Sequence, residues 1–205
     1  MELFEPRVLN LEMEGVRIEP LTADHAREFR SALQEDPDTM QFFTEFPASL
    51  EPGDISEFIG RRTRPGFLAH AIYADGVFAG SSSYMDIRPE HYGLEIGHTW
   101  YAPRYRRTRL NPAVKFLMIR AALELFGAMR VQLKTGGENI QSQRAMRNIG
   151  LTEEGVLHNH LRLPSGKWRD TVMFSVTPQT WPRVQSRLQE LMATRPNWQA
   201  VPGLD

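Results

Sequence analysis

The stretch that most limits the fold runs from Tyr101 to Pro112. A strand pattern, Leu94–Tyr101, enters the loop Ala102–Leu110, which holds Arg104, Arg106, Arg107 and Arg109. The loop then enters a helix, expected over Asn111–Phe126, whose start is marked by Asn111 as N-cap and Pro112 at the first helical position. The first turn of a helix leaves backbone N–H groups unpaired and carries about half a positive charge. Amides and guanidinium groups side by side suit a diphosphate. Val114, Leu117, Met118, Ala121 and Leu125 recur at helical spacing, so the helix is expected to be anchored in the core with its amides held in one direction. A solvated basic loop before a helix has the same appearance, and a second stretch is needed to choose between them.

That second stretch is the strand Val131–Thr135 followed by the helix Asn139–Ile149, which Asn139 or Ser142 can cap and Gly150 ends. Around these two units the pattern predicts a first strand at Gly15–Leu21 and a helix from Thr22 to about Leu33. A proline-containing connection over Asp36–Gly53, with Phe42, Phe43 and Phe46, leads to a helix near Asp54–Arg62. Strands follow at Leu68–Tyr73 and Phe78–Ile87, turning at Asp75-Gly76. Val156–Leu163 and Trp168–Val176 form a hairpin around Pro164-Ser165-Gly166-Lys167, and Thr180-Trp181-Pro182 opens a last helix. The order β-α-α-β-β-β-α-β-α-β-β-α predicts an α/β fold, a mixed and mostly antiparallel sheet flanked by helices. One domain is expected over 1–195, with its core at about 16–182 and a tail at 196–205.

Composition excludes several classes. No cysteine is present, which removes disulfides, thiolate metal ligands and a cysteine nucleophile. The formal net charge of -1 gives no global field for nucleic acid or an anionic membrane. Apolar runs are broken by charges well short of a membrane span, and no signal-peptide pattern opens the chain, so a cytoplasmic location is the expectation. His158 and His160 share a strand face without an evident third ligand, and no metal is expected. Of the 24 basic residues only Lys115, Lys134 and Lys167 are lysine.

The combination of strand, phosphate loop, helix and strand, followed by Asn139, Ser142, Ala145 and Gly150 at their spacing, resembles the GNAT superfamily of N-acetyltransferases. Asn111 through Val131, then Glu154-Gly155-Val156-Leu157 and Arg169-Asp170-Thr171, resemble its branch related to the ribosomal-protein alanine acetyltransferases, the RimJ/RimL-like proteins. The resemblance spans roughly Val16 to Pro182. It implies acetyl-CoA as cosubstrate, bound along the strand that carries Trp100, at the loop and helix start (Arg106, Arg107, Thr108, Arg109, Leu110, Asn111) and by Asn139 and Ser142. It implies an amine acceptor, a protein N-terminus or a small molecule, met by the first two helices and the closing hairpin. It also makes a homodimer an expectation. The chain departs from the family at Arg107 and Arg109, which stand where phosphate-loop glycines belong.

Acetyl transfer to an amine requires somewhere for the amine proton to go. Alternation along Gly93–Trp100 puts Leu94, Ile96, His98 and Trp100 on one face and Gly93, Glu95, Gly97 and Thr99 on the other. Glu95 is the candidate base, acting directly or through water. The other reading is a carboxylate paired with an arginine on a neighbouring strand. His98 reads as a core histidine. The acidic residues Glu45, Glu51, Asp54 and Glu57 either attract a cationic amine or form a solvated face. Two rival functions remain: a non-catalytic acyl-CoA-binding regulatory module, motivated by the missing glycines, and nucleic-acid binding through Arg104–Arg109, opposed by the near-neutral charge.

Overall fold

A computed structural model describes residues 4–36, 45 and 47–198. Eight strands form one sheet: β1 (Leu11–Met13), β2 (Val16–Pro20), β3 (Leu68–Ala74), β4 (Val77–Arg88), β5 (Gly93–Tyr101), β6 (Arg130–Gly136), β7 (Thr152–Arg162) and β8 (Trp168–Val176). Their spatial order is β1-β2-β3-β4-β5-β6-β8-β7. Every neighbouring pair is antiparallel except β5 and β6. The helices are α1 (Ala26–Gln34), α2 (Pro52–Arg62), α3 (Leu110–Arg120), α4 (Ile140–Asn148) and α5 (Trp181–Thr194). This is the mixed, mostly antiparallel α/β fold expected from the sequence.

Local chemistry explains most of the elements. Val16 and Ile18 are buried while Arg17 and Glu19 are less so, the alternation of a half-covered strand. Asp75 and Gly76 take φ of +48° and +81°, the left-handed pair that a tight hairpin needs between β3 and β4. Helices cover both faces. Phe29 of α1 packs against Phe58 of α2 and against Phe78 and Trp100 of the sheet. On the opposite face the Tyr84 hydroxyl donates to the Met118 carbonyl at 2.7 Å, fixing α3 to β4, and Phe116 of α3 meets Trp181 of α5. The buried apolar side chains form one cluster that runs from Phe4 to Trp198.

Several boundaries differ from the sequence reading. Helix α3 begins at Leu110 with Arg109 as its cap, so Pro112 is its third residue rather than its first. The Thr108 hydroxyl accepts the Leu110 N–H at 3.2 Å and starts the turn early, while the Asn111 side chain accepts from the Tyr101 hydroxyl instead of capping. After Arg120 the helix widens into a π-turn, Ala121–Leu125, closed by Phe126 N–H on the Ala121 carbonyl. The extra residue rotates the last turn, so Leu125 is exposed rather than buried. Helix α2 starts at Pro52, ahead of the expected Asp54. Strand β1 was not expected; it is a three-residue edge strand turned back by Glu14 and Gly15, and Gly15, expected to open the first strand, belongs to that turn. Within the expected Asp36–Gly53 connection, residues 37–44 and 46, including Phe42, Phe43 and Phe46, lie outside the described residues, as do 199–205 of the tail.

Candidate active site

The sheet opens at its one parallel junction. Strands β5 and β6 pair only through Gly93 with Arg130, Leu94 with Val131 and Glu95 with Gln132. Beyond these pairs β5 stays bonded to β4 as far as Tyr101, and β6 stays bonded to β8 as far as Gly136. The two strands diverge into a fork with a strand edge on each side, and such edges offer backbone donors and acceptors to an extended ligand.

A β-bulge bends β5 at the fork. Ser81 pairs with Trp100 and Ser83 with Gly97, which leaves His98 and Thr99 together opposite Ser82. His98 takes φ of +50° to make the bulge. The alternation expected along β5 therefore holds only up to Gly97. Leu94 and Ile96 face α3, because Ile96 pairs with Tyr84. Past the bulge the faces exchange. Trp100 stacks on Phe29 of α1, while the Thr99 hydroxyl lies 2.8 Å from both Ser82 Oγ and Lys115 Nζ on the α3 side. His98 does not join Leu94 and Ile96 but stands edge-on to Phe67. Burial, then Arg62, Lys134, Arg64 and Arg169 in that order, push its pKa down to about 3, so its ring is neutral.

Glu95 sits at the last shared pair of the fork and is 2% exposed. One carboxylate oxygen, Oε2, takes the Lys134 ammonium at 2.8 Å and the Gln132 amide at 3.1 Å. Its partner is thus a lysine of β6, not an arginine. The other oxygen, Oε1, lies against Gly97: a Cβ there would stand 2.8 Å from it. The missing side chain at Gly97 is what leaves that oxygen room.

At the far end of β5 the loop is braced from within. Thr108, 1% exposed, donates its hydroxyl to the Tyr105 carbonyl at 2.7 Å and accepts from Leu110. Arg107 takes φ of +63°, the left-handed conformation a glycine would adopt, and its side chain points outward with no partner among the described residues. The other arginines are engaged. Arg106 bonds the Tyr101 carbonyl and Asp36, Arg104 faces Glu35, and Arg109 pairs with Glu14 beneath the Trp198 ring. The Arg109 amide donates to the Pro196 carbonyl at 3.1 Å, tying the tail to the loop. Among the described residues, the amides of Arg107, Thr108 and Asn111 donate to no protein acceptor.

Across the fork, Asn139 caps α4 through its side-chain oxygen, which accepts the Ser142 N–H at 3.0 Å. Gln143 donates to the carbonyls of Gly136 and Gly137, fixing the end of β6 to the first turn of α4. The sequence reading missed Lys115, Arg62 and Lys134. A lysine inside the apolar run Val114–Ile119, and an arginine at an apolar-spaced position of α2, were the available signals. Both are buried. Burial pushes the Lys115 pKa down to about 7 despite the attraction of Glu95, and that of Arg62 to about 10 despite Glu45. Among the described residues, no cluster of His, Asp or Glu is placed to hold a metal, and no helix is long and apolar enough to cross a membrane.

A mixed sheet forked at its one parallel junction, with unbonded amides at the head of the helix beyond, offers an extended anionic ligand two strand edges and a positive helix end. Residues 16–152 match the model of the acetyltransferase (GNAT) domain, and the chain belongs to that family. It acts in acetyl transfer from acetyl-CoA. An acetyltransferase structure from T. thermophilus is 33% identical, with a TM-score of 0.83 over 91% of this chain and 97% of that one. A GCN5-related N-acetyltransferase from Brucella melitensis is 26% identical, with a TM-score of 0.84 over 92% of this chain and 87% of that one. Mycobacterium smegmatis RimJ in complex with CoA-disulfide shares the fold at 19% identity, with a TM-score of 0.77 over 95% and 98% of the two chains. No match is found among curated protein sequences.

Proposed function

We propose that the protein transfers the acetyl group to a primary amine, by direct attack of the amine on the thioester in a ternary complex. The observation that carries this reading is the buried Glu95 carboxylate, held at the point where β5 and β6 part, with Oε1 left open beside Gly97. Acetyl-CoA supplies the activated acyl group. The chain supplies the seat and the proton acceptor. The β5 edge that includes Trp100 meets the pantetheine arm, and the amides of Arg107, Thr108 and Asn111 meet the pyrophosphate at the positive end of α3. Leu110 anchors that helix start in the core. The side chains of Arg106 and Arg109 brace the loop from outside, leaving the Arg107 guanidinium available to the phosphates. Asn139 and Ser142 flank the same arm across the fork.

Glu95 takes the amine proton, directly or through one water. The alternative of a non-catalytic acyl-CoA-binding module is not favoured, because Arg107 reproduces the backbone angle of the missing glycine and a buried carboxylate stands at the fork. The RimJ/RimL-like branch and a cytoplasmic location remain part of the proposal. The test is thiol release from acetyl-CoA across a panel of amines and peptides, alongside equilibrium binding of CoA. Turnover that collapses in Glu95→Gln with CoA affinity retained supports the reading. Tight CoA binding without turnover on any amine, or full activity in Glu95→Gln, removes it.

A further inference from the structure

The α2 side of the fork carries more positive than negative charge, and the charge sits where the acceptor must approach. Arg62, at the end of α2, is 2% exposed; its Nη2 donates to Ser83 Oγ at 2.8 Å and to the His98 carbonyl at 3.2 Å, while its Nε is buried without a partner. Arg169, at the start of β8, folds its side chain over Gly136, where a Cβ would stand 3.1 Å from Arg169 Cδ, and it also buries an Nε without a partner. Both Arg62 and Arg169 lie close enough to bear on His98, as do Lys134 and Arg64. The carboxylates that act on these four cations are Glu95 and Glu45. Glu95 is taken by Lys134, and Glu45 faces Arg64 at 3.4 Å. The His98 ring is neutral and adds no charge.

A buried guanidinium N–H without an acceptor is costly, and Arg169, which bears on His98 and lies within reach of Glu95, has no partner among the described residues. We infer that the acceptor carries a carboxylate a few atoms from its reactive amine, and that Arg169, backed by Arg62, receives it. The substrate class is a small amino acid, which deepens the amine-transfer reading above and rests on it. A planar carboxylate matches the forked donors of arginine. The same field works on the amine. Neighbouring cations disfavour the ammonium form and so raise the share of neutral nucleophile, but they also repel an acceptor whose only charge is positive. A carboxylate on the acceptor offsets that repulsion, whereas a polyamine adds to it. Of the acidic residues considered as amine attractants, Glu45 is taken up by Arg64, while Asp54 is held by Ser49 and Glu57 by Arg61 on the exposed surface.

The test compares free amino acids with their carboxamides as acceptors in steady-state thiol release, and measures binding of N-acetyl amino acids and their amides to the protein–CoA complex by calorimetry. The acids are expected to exceed the amides in kcat/KM by about 10- to 100-fold, the size of one charge-assisted hydrogen-bonded contact. Arg169→Gln is expected to erase most of that ratio, with Arg169→Lys restoring part of it and CoA affinity unchanged in both. Equal use of acids and amides, an unchanged ratio in Arg169→Gln, or better use of matched aminoalkylphosphonates overturns the inference. The calorimetry separates the two failures. Carboxylate-dependent binding without turnover on any amine supports the anion site while removing the amine-transfer reading, and turnover blind to the carboxylate does the reverse.

Discussion

Glu95 and Lys134 meet at 2.8 Å just past the last pair that β5 and β6 share, so one ion pair spans the mouth of the fork. Lys134 is two residues beyond Gln132 on β6, and the two project to the same side and bind the same carboxylate oxygen. The pair has a structural role and, in the proposed mechanism, a chemical one, and substitutions separate them. Glu95→Gln preserves shape and is expected to lower kcat by about 10²- to 10⁴-fold, the usual worth of a positioned base. Lys134→Met leaves a buried carboxylate without its main partner and is expected to cost about 2 kcal/mol of stability in urea denaturation. The double variant is expected to recover most of that stability and none of the activity. A double variant no more stable than Lys134→Met alone shows that the ion pair is not the source of the cost.

Arg107 occupies a left-handed backbone position at φ of +63°. A side chain there costs roughly 1–2 kcal/mol, and glycine returns about 0.5–1 kcal/mol of that in chain entropy. Arg107→Gly is therefore expected to raise unfolding stability by about 0.5–1 kcal/mol. Its effect on acetyl-CoA affinity reads out the side chain alone. A fall that steepens at low salt identifies the guanidinium as a phosphate contact. Lower stability in the glycine variant contradicts the strain argument.

How much of this was legible in the sequence depends on which interactions set each feature. Apart from β1, the element order followed from local signals such as Asp75-Gly76, the Asn139 cap and Gly150, each of which acts within a few residues. The faces of β5 did not, because the bulge at His98 is set by pairing with Ser82 on another strand, and a single extra residue exchanges the two faces. For the same reason the loop arginines read as one cluster, whereas Arg104, Arg106 and Arg109 turn to Glu35, Asp36 and Glu14. Those acids are distant in sequence. Glu95 stands out as a candidate from its small polar face, but Lys134 and the buried Arg62 become visible only when β6 and α2 are placed beside it.

The tail contributes to the loop. Trp198 donates its indole N–H to Asp75 at 2.9 Å, covers the Arg109 guanidinium at 4.9 Å, and follows the Pro196 carbonyl that accepts the Arg109 amide. Trp198→Ala is expected to destabilise the protein by about 3 kcal/mol through lost packing. It is also expected to loosen the loop and weaken acetyl-CoA binding by about threefold or more. Hydrogen exchange at Arg109 measures the coupling directly: its amide should exchange faster in the variant while those of β3 and β4 keep their order of protection. Unchanged exchange at Arg109 separates the tail from the loop.

Lys115 gives the protein a specific pH dependence. Burial pushes its pKa from 10.5 in the ordinary state down to about 7, with Glu95 pulling the other way. In the unfolded chain the amine binds a proton below about pH 10.5, whereas in the folded protein it does so only below about pH 7. Between these values the unfolded state holds more protons, so the contribution of Lys115 makes stability rise as the pH rises. Its slope approaches about 1.4 kcal/mol per pH unit at most, the limit for one proton. Below about pH 7 both states are protonated and the slope vanishes. Lys115→Met is expected to be more stable than the parent near pH 7 and to show a flatter profile between about pH 7 and 10, measured by urea denaturation at intervals across that range. The loss of the Thr99 contact opposes the gain, so the sign of the change in slope is the deciding observation. A parent profile whose slope Lys115→Met leaves intact shows that the buried amine does not titrate in this window.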